Sequence, residues 1–520
     1  MMIHNPVLPG FRPDPSIVRV GDDYFIANST FEWCPGIALS HSKDLVHWRA
    51  IGHVITRPSQ LDLRGVVDSA GTWAPSLSHD GKLFHLVVAS IRTRVGPFKD
   101  MRVLLFTAPS IEGPWSDPVS LGGCGFDPSL FHDDDGRKWL ANIQWDYRKD
   151  RPRFAGIVLQ EYDPARQALV GEMTTVLTKP QLLEGPNLYK RNGLYYIMCA
   201  EGGTGWNHGI SMARARTIRG PYEPDPQPLL TTRHTLTNPL QKSGHGEIVQ
   251  TPGGEWYLAH LCSRPLAPER RCILGRETAI QKVRWTDDGW LRLESAGIEP
   301  QVDVPGPRDT KDHTWPQTPA RDDFEGGALS PLWQSLRVPV DESWASLKKR
   351  PGWLRLVGRE SLHSLFEQSL VAQRLTSFKQ TADTCIEFNP AHFTQSAGLI
   401  CWYDTRTHYY LRITHDAGRG KILGIVLSDD GVYDELAGSD IAVNDWERVY
   451  LRGSIDHDKL QFSAGPAPDK MKPIGRVLDA SKLSDDYGHG LHFTGALIGL
   501  CAQDLNGSGC VADFVYFELR

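Results

Sequence analysis

The sequence contains no long apolar stretch. No run of eighteen apolar residues occurs, so no membrane-spanning helix is expected. No block of five like charges occurs and the net charge is −6, so composition offers neither a nucleic-acid nor a membrane partner. The start, "MMIHNPVLPGFRPDP", lacks a basic segment followed by an apolar one, and a secretory signal peptide is not expected. The nine cysteines are odd in number, scattered, and never spaced C-x-x-C, which leads us to expect free thiols in a reducing cytoplasm. H-E-x-x-H and G-x-S-x-G are both missing. So is any alternation of strands with helical patterns of about twelve residues, which argues against an α/β barrel.

What is present is a repeat. "RPDPSIVRVGDDYF", "WAPSLSHDGKLF", "FDPSLFHDDDGRKW", "EGPNLYKRNGLYY" and "GHGEIVQTPGGEWY" each read as a short apolar strand, a turn and an aromatic-rich strand. The turns are Gly21-Asp22, Asp80-Gly81, Asp135-Gly136, Asn192-Gly193 and Gly253-Gly254, most of them pairs that tolerate positive φ in tight hairpins. Aligned positions 14, 74, 127, 185 and 245 recur at a spacing of 50–60 residues. A β-rich repeat of that length predicts a propeller, here five-bladed and spanning residues 1–304. Residues 305–320 are rich in proline and read as an extended linker. From residue 321 to 520 the repeat is lost. Runs such as "WLRLVG", "LICWYD", "YYLRITH" and "LQFSAG" then alternate in the manner of an antiparallel β-sandwich. The fold class is therefore all-β: a five-bladed β-propeller followed by a β-sandwich.

In a propeller the first strand of each blade lines the central channel. Beside one mouth this places Asp14, Trp73, Asp127, Glu184 and His245. Three carboxylates from three blades repel one another and raise each other's pKa, an arrangement that stability alone would avoid. Hydrolysis of a glycosidic bond needs such a set: a carboxylic acid to protonate the leaving oxygen and a carboxylate to activate water or attack carbon. Phe31, Trp73 and Trp145 are of the type that faces a sugar ring. Asp14 lies between Pro13 and Pro15, which we expect to hold it in the extended region at the strand's mouth. "HDDDGRKW" reads as a turn, and the glycine-rich "EGGTGWNHG" has no helix after it to bind phosphate.

The motifs "RPDPS", "GFDPSLF" and "EGPNLYK", in that order, resemble glycoside hydrolase family 43. The opening through "SHSKDLVHW", with "NPLQKSGHGEIVQ" and "LGRETAIQKVRW", is most similar to the β-xylosidases of that family, and the resemblance continues through the second domain. It implies Asp14 as general base, Glu184 as general acid, and Asp127 as the acid that tunes Glu184 and orients substrate. It implies Arg276 as a binder of substrate hydroxyls, Phe31, Trp73 and Trp145 as walls of the sugar pocket, and Phe493 as an aromatic that the sandwich sends to the site. Asn187 departs from the expected histidine of "EGPHLYK". The implied activity is an inverting exo-β-1,4-xylosidase on xylo-oligosaccharides, with α-L-arabinofuranosidase side activity on arabinosyl glycosides. Inversion places the two acting carboxyls roughly 6.5–9.5 Å apart. No cofactor is required for the chemistry. The resemblance also suggests calcium on the propeller axis, for which His245 and Glu247 are the candidate ligands. Without a metal, His245 is expected to be charged beside Asp127 or Asp14. A homodimer or homotetramer is within expectation. Two rivals are a retaining fructan- or sucrose-type hydrolase on the same architecture, whose "NDPNG"-type opening is missing here, and a non-catalytic carbohydrate-binding propeller.

Overall fold

The computed structural model describes residues 1–520. Five antiparallel sheets form the blades, running from Ser16–Val20 to Arg49–Ile55, Gly71–His79 to Val119–Ser120, Gly125–His132 to Ala168–Leu177, Leu183–Arg191 to Leu230–Thr231, and Gln241–Gln250 to Leu291–Leu293. All five expected turns join the first two strands of their blades. At Asn192-Gly193 both residues have positive φ (50° and 77°), as a two-residue hairpin requires. Apolar residues fill the wedges between blades. Phe25 and Leu39 of blade 1 meet Leu86 and Phe106 of blade 2. Tyr24 and Ile26 meet Ala259 and Ile280 of blade 5, which closes the ring. Met2–His4 pairs with Asp303–Pro305 at the propeller's end.

The second unit is a sandwich of an eight-stranded and a nine-stranded antiparallel sheet around a core of 44 buried residues. Its regular structure begins at Arg321–Asp322. The two units are stitched together. The propeller segment Trp33–Cys34 adds a strand to the edge of the nine-stranded sheet, with Cys34 opposite Ser335 and Trp33 opposite Leu336. Beyond Pro305 the proline-rich linker has no regular structure but is docked: Trp315 lies under the Arg49 guanidinium at 3.9 Å and donates to the His47 carbonyl at 3.1 Å.

One local feature recurs at the channel mouth. The inner strand of blades 2 to 5 carries a register shift near its start, between Thr72 and Pro75, Phe126 and Ser129, Glu184 and Asn187, and Gly244 and Gly246. Around these positions Asp127, Gly185 and His245 have φ of 50°, 54° and 38°, and Asp14 in blade 1 has φ 50°. This corrects the expectation that the prolines hold Asp14 extended. Asp14 is left-handed, a region that Asp tolerates better than most residues. Pro15 follows where no ladder N–H is needed, and Asn28 Nδ2 ties down the carbonyls of Arg12 and Pro13. A bulge bends the strand and re-aims the side chain, here towards the channel mouth.

Candidate active site

Asp14, Asp127, Glu184, Arg276, His245, Phe31, Trp73 and Phe493 line one cavity of about 60 Å³. At ~10–15 Å³ per water position, it holds about four to six waters, the scale of one sugar ring and not of a chain. Asp14 is gripped from two sides: Oδ1 accepts from Arg276 Nη1 at 2.8 Å and Oδ2 from Ser29 Oγ at 2.6 Å. Both oxygens are thus occupied as hydrogen-bond acceptors. Arg276 also donates to Thr204 Oγ1 at 3.1 Å and to the Phe493 carbonyl at 3.1 Å, so one guanidinium joins Asp14, blade 4 and the sandwich.

Glu184 has no such grip. Burial, and then the charge of Asp14, push its carboxyl up to about 7, against an opposing pull from Arg276. Asp127 is raised well above the ordinary carboxylate range by burial first and then by repulsion from Glu184 and Asp14. The two titrate as a pair shifted towards the protonated form, the condition for a proton donor to be present in the cavity. Gly185, next to Glu184, must be glycine because a Cβ there would sit 2.8 Å from the His245 ring.

Phe493 reaches the site from the sandwich. Its ring stacks on Phe31 at 5.8 Å and meets Trp73 edge-on at 5.6 Å, while its N–H donates to Ser69 Oγ. Trp145 is displaced from the expected wall. It stands behind Phe126, centroids 6.3 Å apart, with its indole N–H on the Pro97 carbonyl, and Phe126 takes the lining position. Thr204 and His208 also line the cavity, and both come from the glycine-rich "EGGTGWNHG" that had no assigned role. Its glycines mark a loop, but nothing in that string shows that it folds back over the mouth. Gly244 makes room for His208, whose ring a Cβ would overlap at 1.6 Å. Asn187, where histidine was expected, donates to the Gly246 carbonyl at 3.2 Å.

His245 Nδ1 stands 3.8 Å from Asp14 Oδ1, as expected, but burial lowers its pKa and favours the neutral ring over the expected charged one. Glu247 does not join it. The bulge at residues 244–246 breaks the two-residue alternation, and Glu247 Oε2 accepts instead from Ser16 Oγ and the Ile17 N–H. The residues therefore do not fit a calcium ion held jointly by His245 and Glu247. Three ligating side chains converge only at Asp44, His47 and Asp312, on the linker side of blade 1. There the Asp44 carboxylate is already filled by the N–H groups of Val46, His47 and His313 and by the His47 ring.

Comparison with known proteins agrees with this geometry in both units. Residues 3–291 match the family described as Glycosyl hydrolases family 43, and residues 321–520 match the Beta xylosidase C-terminal Concanavalin A-like domain. A xylosidase/arabinosidase 43B of Humicola insolens is 46% identical, covering 100% of this chain and 97% of that protein. A beta-xylosidase of Bacillus subtilis is 43% identical over the whole of both chains. The crystal structure of a xylan beta-1,4-xylosidase from Bacillus halodurans superposes with a TM-score of 0.98 at 50% identity, covering 100% of each chain. With buried acids arranged for proton transfer at the mouth of the matching propeller, the chain belongs to glycoside hydrolase family 43 and is a glycosidase that hydrolyses O-glycosyl bonds.

Proposed function

We propose that the protein is an inverting exo-β-1,4-xylosidase that removes single xylose units from the non-reducing ends of xylo-oligosaccharides, with α-L-arabinofuranosidase side activity. One observation carries the reading: Phe493 closes the carboxyl-lined cavity to the size of one ring, and the Arg276 fork ties that closure to the base. A chain end enters such a cavity; a chain interior does not. Relatives named for xylosidase and arabinosidase activity support both sugars. Asp14, fixed by Arg276 and Ser29, takes a proton from water attacking the anomeric carbon. Glu184, still protonated, gives its proton to the departing oxygen. Asp127 keeps the buried pair proton-rich, and Phe31, Trp73 and Phe493 cover the ring's apolar faces. No step requires a metal. The nine unpaired cysteines suit a reducing compartment, which we propose is the cytoplasm.

The test is proton NMR of xylobiose hydrolysis, run beside a panel of aryl glycosides with and without EDTA. The expected first product is α-xylose, with slower release from aryl α-L-arabinofuranoside and no effect of EDTA. Initial β-xylose overturns inversion, and cleavage of sucrose but not xylobiose would replace the reading with the fructan-type rival.

A further inference from the structure

A second cavity, of about 770 Å³, lies where blade 1, the docked linker and the sandwich meet. Its lining includes Arg12, Arg49 and Arg374 and not one Asp or Glu. Arg12 and Arg374 are only 8% and 5% exposed. Neither forms a salt bridge, although Arg337, buried at the same seam, pairs with Asp68, and Arg276 pairs with Asp14. Arg12 Nη1 and Arg374 Nε and Nη2 are buried with no hydrogen-bond partner, and so is the Ser40 hydroxyl on the same cavity wall. The Arg374 guanidinium stands over the Phe11 ring, 5.5 Å from its centroid.

Guanidinium does not shed its proton in proteins, so this pair cannot relieve itself as a buried carboxyl does. A buried charge without a partner is among the costliest features a fold can carry. Two that repel each other in a roomy cavity need a counter-ion. We propose that this cavity is a binding site for a small oxyanion, taken up in the forks of Arg12 and Arg374 with the Ser40 hydroxyl as a further donor. The shared chemistry is a planar or tetrahedral anionic group with several acceptor oxygens, the partner that guanidinium matches two bonds at a time. It can be free inorganic phosphate or the carboxylate of a sugar acid. Direction of titration supports the site: burial pushes Arg12 down to about 10, and burial first and then the charge of Arg12 lower Arg374 well below the ordinary arginine range. Burial, and then the charges of Arg374 and Arg12, lower the half-buried His53 towards its neutral form. The anion would lie close to the catalytic machinery without touching it. Arg12 accompanies Asp14 in one short segment and its N–H donates to the Arg276 carbonyl, while Phe11, under Arg374, packs on Phe31 at 5.8 Å.

The experiment uses the full chain in low-salt buffer and does not depend on its activity. Phosphate, sulfate and glucuronate are titrated by calorimetry and by thermal unfolding, with xylose and sodium chloride at matched ionic strength as controls. We expect saturable binding of at least one oxyanion and a Tm rise of a few degrees near saturation. Both should weaken at least tenfold in Arg374→Met and in Arg12→Met, with an intermediate loss in Arg374→Lys, which keeps the charge and folds if Met is not tolerated. Without added anion, Arg374→Met should be no less stable than the wild type. Preference for phosphate assigns the site to a free ion, and preference for glucuronate assigns it to a sugar acid. The proposal is overturned if no oxyanion gives a saturable response, or if the arginine variants respond as the wild type does.

Discussion

Two cavities lie along the seam between propeller and sandwich, and they carry opposite charges. The cavity at the channel mouth gathers three carboxyls around one arginine, whereas the one behind blade 1 gathers three arginines and no carboxyl. Both bury charge that folding alone would not assemble. They differ in how that charge can be relieved. Carboxyls accept protons: Glu184 is pushed up to about 7, and Asp127 is raised well above the ordinary carboxylate range. Arginines have no such outlet and call for an ion from outside. Unbalanced burial therefore marks a site in both places, but it reads as proton-transfer chemistry in one and as ligand binding in the other.

The comparison is broken most decisively at the acids. Asp14→Asn and Glu184→Gln should each lower kcat on xylobiose by about 10³-fold, within the usual range for acid–base catalysis, while the protein stays folded. Initial rates within tenfold of wild type would remove that residue from the scheme. Arg276→Met comes next. It strips Asp14 of its charged partner, leaving Ser29, and removes the positive charge that pulls both Glu184 and Asp127 down. We expect kcat/KM to fall about 10²-fold, as for loss of one charge-stabilising donor. The alkaline limb of its pH profile, set by loss of the Glu184 proton, should move upward. An unmoved limb would show that Arg276 does not set that titration.

Stability against pH sharpens the contrast further. Glu184 has a folded pKa raised to about 7, against ~4.3 for an unperturbed Glu. Its favourable contribution is therefore complete below about pH 4 and is lost as pH rises through 7. Glu184→Gln should unfold at a higher temperature than wild type at pH 8, and the gap should close as pH falls towards 4. A gap that is constant with pH would mean that Glu184 carries no strained charge. The smallest effects concern the walls. Phe493→Ala should raise KM about tenfold, equivalent to ~1.4 kcal/mol of lost contact. Trp145→Ala, one layer back behind Phe126, should change it by less than about threefold, roughly 0.6 kcal/mol on the same scale. Equal effects in steady-state assays would place Trp145 at the sugar after all.

The propeller was legible because its repeat is written twice, in spacing and in turn chemistry, and both depend on local backbone geometry. Aligning the blades also placed Asp14, Asp127, Glu184 and His245 at one mouth. Reading along a strand could not reveal the bulges. Glu247 leaves the expected face because the left-handed His245 resets the alternation, and Asp14 is left-handed although prolines flank it. In the sandwich, "WLRLVG" and its like are strands as read, but Ser369–Arg374, Lys379–Glu387 and Lys472–Asp479 carry more polar residues and do not stand out. Phe493, Thr204 and His208 reach the site through tertiary docking, which leaves no local periodicity. Phe493 was found through family resemblance, and nothing pointed to the other two. Arg12 and Arg374 look like any other arginines until the chain is folded.

The strand Trp33–Cys34 lends the propeller's first blade to a sheet made largely of residues beyond 330. On a ribosome this orders events in time. When all five blades have emerged, Asp14, Asp127, Glu184 and Arg276 are present, but the partner of Trp33–Cys34 has yet to be made and the cavity lacks its Phe493 wall. The groups to which we assign the chemistry come early in the chain, and the ring-sized pocket is finished only near its end. A growing chain therefore holds the chemistry before it holds the substrate.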